Sequence, residues 1–154
     1  MTTVAASLVH QEIAADSMCS GEGGFYSVCK LRQWKDGVAG AAGDWVQILK
    51  FFNSIEHGGD LDSDCDIECM ELRADGIWIY ESTIIPARIK EPFYAIGTGS
   101  AYALAAMHLG KSPREAVEIA ALFDPATRGP IDVMKIGEPH GRKASTRRPT
   151  DRRV

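Results

Sequence analysis

The sequence reads Val38-Ala39-Gly40-Ala41-Ala42-Gly43-Asp44 and continues Trp45-Val46-Gln47-Ile48-Leu49-Lys50-Phe51-Phe52, and this passage decides the fold. Its first half consists of small residues and indicates a strand over 37–42. Its second half has apolar residues at helical spacing and predicts a helix from about Asp44 to about His57, where Gly58 and Gly59 follow. The chain is therefore predicted to pass directly from a strand into a helix.

Further strands precede and follow this passage. Residues 2–8 and 12–16 read as a hairpin, and residues 67–73 and 77–82 read as a second hairpin around Asp75-Gly76. Ser112-Pro113-Arg114-Glu115 is a capped helix start with proline at the first helical position. The remaining predictions are a loop at 20–24, a strand pair or a strand with its approach at 25–34, strands at 84–86, 93–96 and 131–136, and helices at 100–109 and 112–123. Antiparallel hairpins with grouped helices predict an α+β fold.

The composition of the 154-residue chain is that of a globular protein, with 45% hydrophobic and 25% charged residues. No apolar run approaches the ~20 residues of a membrane span, and the N-terminus lacks a secretory signal, so we expect a cytoplasmic protein without a membrane partner. The four cysteines lack CxxC spacing and no histidine cluster accompanies them. We therefore expect reduced thiols and neither a metal ion nor another cofactor.

The net charge of −4 hides an asymmetry along the chain. Residues 1–136 carry a net charge of −8, whereas residues 137–154 hold six basic and two acidic residues, a net of +4. This second segment is also rich in Gly, Pro, Ser and Thr, so it reads as a flexible basic tail beside a domain at 1–136. Such a tail could touch nucleic acid, but a solvated tail is the better interpretation, and we do not expect a nucleic-acid partner.

The chain begins Met1-Thr2-Thr3-Val4, and removal of Met1 would make Thr2 the amino terminus. Thr2 would then carry a hydroxyl nucleophile together with a free α-amine, which titrates near pH ~8 and can act as its base. Many ordinary first strands also begin in this way, so the rest of the sequence has to decide between the two interpretations.

Five further segments follow this start in order. They are Ile13-Ala14-Ala15-Asp16, Lys30-Leu31-Arg32, Val38-Ala39-Gly40-Ala41-Ala42-Gly43-Asp44, Ala95-Ile96-Gly97-Thr98-Gly99-Ser100-Ala101-Tyr102-Ala103 and Asp124-Pro125-Ala126-Thr127-Arg128-Gly129-Pro130-Ile131-Asp132-Val133. With these segments the chain resembles the proteasome β-subunits and the bacterial proteasome-like peptidase HslV, which are N-terminal-nucleophile hydrolases. The resemblance covers roughly residues 2–136 and implies a four-layer αββα sandwich of two antiparallel sheets.

The resemblance implies a catalytic role for each matching residue. Thr2 would be the nucleophile, and Lys30 would be the active-site lysine whose charge favours the attacking form. Asp16 would pair with Lys30, because a buried lysine without a carboxylate is costly. The N–H of Gly40 would face the developing oxyanion, and such a donor contributes ~3–4 kcal/mol to the transition state.

Hydroxyls and small side chains complete the implied site. Thr98 stands where the family usually has serine in a Gly-Ser-Gly turn, and Asp124 with Thr127 matches a supporting Asp-x-x-Ser pair. Val38 and Ala42 lie near the family's specificity pocket, where their small side chains leave room for an apolar group. The resemblance therefore implies a threonine endopeptidase that acts on polypeptides.

The chain departs from the family in its helices. The family normally has two long helices after the strand that ends near Gly43, and only one fits here, so we expect one helical layer to be shortened. In the family that layer contributes to contacts between subunits or rings. We expect a homo-oligomer, with a ring as one form, but the loss counts against the usual ring stack and against docking of a partner AAA+ unfoldase.

An acidic stretch at 60–71 places carboxylates at the ligand positions of an EF-hand-like loop. The carboxylates belong to Asp60, Asp62, Asp64, Asp66, Glu68 and Glu71. Position six, normally glycine, is Cys65, and the segment from Ile67 reads as strand where an EF-hand has helix. A solvated acidic loop is therefore a better interpretation than a calcium site.

Two alternative functions remain open at this point. A catalytically silent, proteasome-like scaffold or assembly protein would keep the fold without exposing Thr2. An N-terminal-nucleophile amidase would apply the same chemistry to small amides.

Overall fold

The computed structural model of the protein describes residues 2–61 and 65–137, which form eleven strands and three helices. In chain order, the elements are β1 (Thr3–Ser7), β2 (Glu12–Asp16), β3 (Met18–Gly21), β4 (Gly24–Ser27), β5 (Leu31–Gln33), β6 (Gly37–Gly43), α1 (Trp45–His57), β7 (Ile67–Arg73), β8 (Gly76–Glu81), β9 (Ala87–Ile89), β10 (Phe93–Gly97), α2 (Ser100–His108), α3 (Pro113–Phe123) and β11 (Ile131–Lys135).

The strands form two large antiparallel sheets and one small ribbon. The first sheet has the order β10-β1-β2-β11, and the second has the order β5-β6-β7-β8-β9. In the first sheet Val4 lies opposite Ala15 on one side and opposite Ile96 on the other. In the second sheet Gly40 lies opposite Leu31 of β5 and Met70 of β7. The ribbon is the hairpin of β3 and β4.

Three apolar clusters hold four layers together. The cluster between the two sheets includes Val4, Ile13 and Leu72. Helices α2 and α3 cover the outer face of the first sheet through a cluster rich in alanine, in which Val117 is fully buried. Helix α1 covers the outer face of the second sheet through Phe51 and its neighbours. The predicted αββα sandwich of two antiparallel sheets is therefore confirmed.

The outer layer on the second sheet contains one helix within the described residues. Helix α1 buries Ile48, Phe51 and Phe52, which lie three and four positions apart and so share one face. Asp44 caps its first turn by accepting a hydrogen bond from the N–H of Gln47 at 3.1 Å. Gly58 ends it with a φ of 75°, a value that glycine adopts without strain. The predicted shortening of this layer is confirmed.

Three local predictions need correction. Residues 84–86 are not a strand: Pro86 has no N–H to donate to a ladder, and the strand begins only afterwards, at Ala87. The loop predicted at 20–24 is the tight end of the β3–β4 hairpin, where Gly21 lies opposite Gly24. The segment at 25–34 contains two strands, but β4 and β5 pair with different partners.

Other predictions fall on residues outside the described ranges. Residues 138–154, which are nearly all of the basic tail, belong here, as do Met1 and residues 62–64 of the acidic stretch. From Ile67 onward the acidic stretch continues as strand β7, as the sequence predicts. The helices that the structure describes are all too short or too polar to cross a membrane.

Candidate active site

Thr2 lies immediately before β1 and is only 2% exposed. It lines two cavities, a larger one of about 500 Å³ and a smaller one of about 340 Å³. Gly43, the last residue of β6, lines both cavities with it. Thr2 therefore stands between two openings, each large enough to receive an amino-acid side chain.

A buried ion pair lies on the side of the larger cavity. Asp16 ends β2 and Lys30 directly precedes β5, and Lys30 Nζ donates to Asp16 Oδ1 at 3.2 Å and to Oδ2 at 3.1 Å. Both side chains are at most 3% exposed, and Lys30 lines the larger cavity together with Thr2. The charge of the lysine is thus held next to the residue that would carry the nucleophile.

Asp16 also organises the backbone around Thr2. Its Oδ1 accepts a hydrogen bond from the N–H of Thr3 at 2.9 Å, and its Oδ2 accepts from the N–H groups of Met18 and Arg128, each at 3.3 Å. These donors compensate much of the cost of burying a carboxylate. The carboxylate therefore joins Lys30, the start of β1 and the segment after α3.

Burial lowers the pKa of Lys30 below that of an ordinary lysine, because the charged form loses hydration. The carboxylate of Asp16 opposes this effect through its charge and its hydrogen bonds. The net result is a lysine whose ammonium gives up its proton at a lower pH than a surface lysine would.

A second polar network connects β1, the turn before α2 and the end of α3. Thr98 Oγ1 and Thr127 Oγ1 each donate to Asp124 Oδ2 at 2.6 Å. Because the Thr127 hydroxyl donates to Asp124, the 2.6 Å contact between Thr3 and Thr127 has Thr3 as its donor. Thr3 Oγ1 in turn accepts from the N–H of Gly99 at 3.0 Å. The hydroxyls of Thr3 and Thr127 thus each donate one hydrogen bond and accept another, and the hydroxyl of Thr98 donates one.

Burial alone would raise the pKa of the Asp124 carboxyl, but hydrogen bonds from Thr127, Thr98 and the N–H of Ala126 together hold that pKa below its ordinary value. Asp124 is therefore an ionised acceptor at neutral pH. It fixes the orientation of the Thr98 hydroxyl beside the smaller cavity, which Thr98 lines with Thr2.

The turn before α2 approaches Thr2 closely. The N–H of Thr98 donates to the carbonyl oxygen of Thr2 at 2.9 Å. Gly97 has a φ of +91°, and a Cβ placed on it would stand 1.8 Å from that same oxygen. Only glycine fits here, because the site excludes any side chain and the backbone conformation is left-handed.

Gly40 lies in the core beneath Val4, and a Cβ on it would stand 2.7 Å from Val4 Cγ1. On the β5 side of the strand, the N–H of Ala41 donates to the carbonyl of Lys30 at 3.4 Å. Since N–H directions alternate along a strand, the N–H of Gly40 points the other way, toward Met70 of β7. Gly40 is not in the lining of either cavity beside Thr2.

Gly43 lines both cavities together with Thr2. The N–H groups of Gly43 and Ala41 lie on the same side of β6, which is the side of β5. Because β5 begins only at Leu31, opposite Gly40, the N–H of Gly43 lies past the end of the β5–β6 ladder. Gly43 is half-buried with a φ of +137°, and a Cβ placed on it would stand 2.9 Å from the Asp66 carbonyl oxygen, so the position demands glycine. The sequence carries a weak signal for it, since glycine ends a strand of small residues here.

The two residues expected near a specificity pocket separate in the structure. Val38 is fully buried in the cluster between the sheets, whereas Ala42 lines the smaller cavity. The larger cavity is lined instead by aromatic residues of the β3–β4 hairpin and of α1, among them Phe25, Tyr26 and Trp45. Sequence reasoning missed these residues, because no motif in the sequence links the β3–β4 hairpin to Thr2.

Sequence reasoning also missed the places of Thr3 and Glu68 in the site. Thr3 could have been found from the doubled threonine at the start of the chain, but Glu68 is one carboxylate among several in an acidic stretch. Within residues 2–61 and 65–137, no three His, Cys, Asp or Glu side chains are grouped so that they could hold a metal ion.

Solved structures with the same fold are known, although no protein-family model and no curated protein sequence matches the chain. HslV from Trypanosoma brucei is 19% identical with a TM-score of 0.70, and the match covers 86% of this chain and 98% of that one. The BPH protein of Thiobacillus denitrificans, solved in complex with epoxomicin, is 21% identical with a TM-score of 0.62, covering 89% and 99%. Anbu from Pseudomonas aeruginosa, solved as a helical assembly, is 14% identical with a TM-score of 0.63, covering 88% and 80%.

The chain has the fold of the HslV-like, proteasome-like N-terminal-nucleophile hydrolases. This confirms, for the fold, the resemblance to proteasome β-subunits and HslV that the ordered motifs indicate. At 13–21% identity this likeness concerns the architecture, and the chemistry has to be argued from this chain's own site.

Proposed function

We propose that the protein is a threonine peptidase whose nucleophile is Thr2 after removal of Met1. The observation that carries the proposal is the buried Asp16–Lys30 pair, whose carboxylate also holds the N–H of Thr3 at 2.9 Å. A buried ion pair contributes little to stability compared with apolar packing, so its retention beside Thr2 favours a chemical role.

The reaction would be an acyl transfer in two steps. The Thr2 hydroxyl attacks the carbonyl carbon of a peptide bond while its proton passes to the α-amine of Thr2, directly or through a water. The amine then gives that proton to the leaving nitrogen as the C–N bond breaks, which leaves an ester on Thr2. Water then attacks the ester, which releases the acid product and regenerates the threonine hydroxyl.

The surrounding groups would support this chemistry electrostatically. The N–H of Gly43 would be the oxyanion donor, because Gly43 lines the cavities with Thr2 and lies past the paired part of β5. The ammonium of Lys30 favours the deprotonated form of its neighbours, since a nearby positive charge lowers their proton affinity. Thr98, whose hydroxyl donates to Asp124 at 2.6 Å, would relay a proton near the amine.

We also propose that the chain works as a homo-oligomer on polypeptide substrates. The Anbu relative was solved as a helical assembly, and this supports self-association of the fold. The family resemblance also implies a partner AAA+ unfoldase. The shortened helical layer on the second sheet, which contains α1, counts against such a partner.

The test uses the protein expressed in its native host. Intact mass should show loss of one methionine, and an electrophilic threonine probe should label Thr2. Thr2→Ala should lose about a thousandfold or more in kcat/KM on fluorogenic peptides, while the matched Thr2→Ser variant keeps a hydroxyl and measurable activity. Full retention of Met1 would instead favour the silent scaffold, and turnover of small amides but not of peptides would favour the amidase.

A further inference from the structure

The two cavities that meet at Thr2 differ in chemical character. Most of the large side chains that line the larger cavity are apolar or aromatic, namely those of Met18, Phe25, Tyr26, Trp45, Val46 and Ile48, and its charged lining residues are Lys30 and Asp44, one of each sign. Phe25 is 75% exposed and Val46 59% exposed, so the mouth of this cavity presents apolar surface to solvent. Exposed apolar surface around a cavity is typical of a place where an apolar group binds.

The smaller cavity has acidic walls. Asp66 and Glu68 line it, and the described residues that complete its lining are Thr2, Ala42, Gly43, Gly97 and Thr98. None of these carries a positively charged side chain. The positive charge of Lys30 belongs to the larger cavity and is paired with Asp16.

Glu68 is held in a defined position at this wall. It projects from β7 of the second sheet, and its Oε2 accepts the N–H of Gly97 from the first sheet at 3.2 Å. The strand register also places Glu81 of β8 directly opposite Glu68, and like charges in this position are unfavourable. A carboxylate fixed against a like-charged neighbour at a cavity beside the nucleophile is suited to receive a cationic group.

The position of Thr98 decides which part of a substrate each cavity takes. Thr98 lines the smaller cavity, and its backbone N–H binds the carbonyl of Thr2. In the proposed reaction the Thr98 hydroxyl relays a proton near the amine that protonates the leaving nitrogen. In that reaction the smaller cavity would face the leaving side of the scissile bond, and the larger cavity would face the acyl side.

We propose that the site cleaves extended peptides between a bulky apolar residue on the acyl side and a lysine or arginine on the leaving side, with Glu68 as the residue that determines the second preference. The inference rests on the proposed function and specifies its substrate class.

The experiment compares internally quenched peptides that are identical except at the scissile pair. The Phe–Lys peptide should be cleaved with roughly tenfold higher kcat/KM than the Phe–Glu peptide, and the reversed Lys–Phe order should be poor. Glu68→Gln should remove most of the difference in kcat/KM between the Phe–Lys and Phe–Glu peptides, each compared with the Phe–Ala peptide on the same variant. Glu81→Gln is the matched control, since it removes the same charge outside the cavity lining and should keep the preference.

Outcomes against the inference are distinct from outcomes against the proposed function. If wild-type protein labels at Thr2 and cleaves Phe–Ala, but Phe–Lys and Phe–Glu react equally or Glu68→Gln keeps the preference, the substrate class is wrong and the peptidase stands. If Phe–Lys is preferred but both glutamine variants lose the preference alike, the general field of the acidic strands is responsible and Glu68 is not the determinant. If wild-type protein neither labels nor cleaves any peptide, the proposed function fails first.

Discussion

At the scale of single residues, the site depends on charges that are buried and paired. Asp16 is 1% exposed and binds Lys30 together with the backbone of Thr3. The pair keeps a positive charge near Thr2 without leaving an uncompensated ion in the core. In the proposed reaction, the α-amine of Thr2 acts in its neutral form and the side chain of Lys30 in its charged form. The pH dependence of activity should therefore report on both groups.

The pH dependence of kcat/KM should therefore have two limbs. Activity should rise as the α-amine of Thr2 loses its proton, near pH ~8, because the neutral amine is the base. It should fall again where Lys30 loses its charge, and the lowered pKa of Lys30 places this fall below pH ~10.4, the ordinary value for lysine. Peptide cleavage measured over a pH range of roughly 6 to 11 checks both limbs.

Lys30→Arg is the informative variant for this profile. Arginine keeps its charge throughout the range, so any activity that it retains should lack the alkaline fall. A wild-type profile that stays flat up to pH ~11 would contradict the role given to the lysine charge.

At the scale of elements, the end of α3 is joined to the turn before α2. Asp124 ends α3 and accepts hydrogen bonds from Thr98, Thr127 and the N–H of Ala126. The capping box at the start of α3, formed by Ser112 and Glu115, fixes the opposite end of the helix. Helix α3 thus carries a rigid acceptor to the edge of the site.

Asp124→Ala should destabilise the fold by about 2–3 kcal/mol, because it leaves buried donors without an acceptor. The carboxyl pKa is lowered in the folded state, so its contribution in the wild type is present above pH ~3.9, the ordinary aspartate value, and is lost as the pH falls through the folded-state value. Urea unfolding at about pH 7 and about pH 3 checks both statements. Glu91→Ala, an exposed loop substitution, is the control, and an equal loss in both variants would contradict the argument.

At the scale of the whole molecule, the outer helical layers leave apolar side chains exposed. Tyr102 of α2 stacks on Phe123 of α3 with ring centroids 5.3 Å apart, and Phe123 and Leu122 are 61% and 77% exposed. Exposed apolar surface of this kind on a folded chain is typical of an interface. It supports the proposal that this protein self-associates.

Sedimentation should accordingly give a mass that is a multiple of 16.7 kDa. Phe123→Lys should shift the distribution toward the single chain, because it places a charge in the apolar contact. Val9→Lys changes another exposed apolar residue, in the turn between β1 and β2, and should leave the mass unchanged. A wild-type protein that sediments as a single chain at micromolar concentration would refute self-association.

Much of the fold could be predicted from particular segments, because their signals are local. The spacing of Ile48, Phe51 and Phe52 identified α1, and Ser112 with Pro113 identified the start of α3. The strand at 84–86 was predicted wrongly, because apolar side chains there outweighed the missing N–H of Pro86. A short edge strand depends on its neighbour more than on its own residues, so its position could not be predicted.

The sequence by itself determined most of the elements, their order and the residue types that the proposed chemistry needs, because these follow from periodicity, capping and the ordered motifs around Thr2. Only the tertiary structure decided which of those residues meet. Backbone alternation in β6 turns the N–H of Gly40 toward β7, and Gly43 rather than Gly40 lines the cavities beside Thr2. The pairing of distant strands brought Glu68 to Gly97, and no local pattern reports such a contact, because the two residues lie in different sheets.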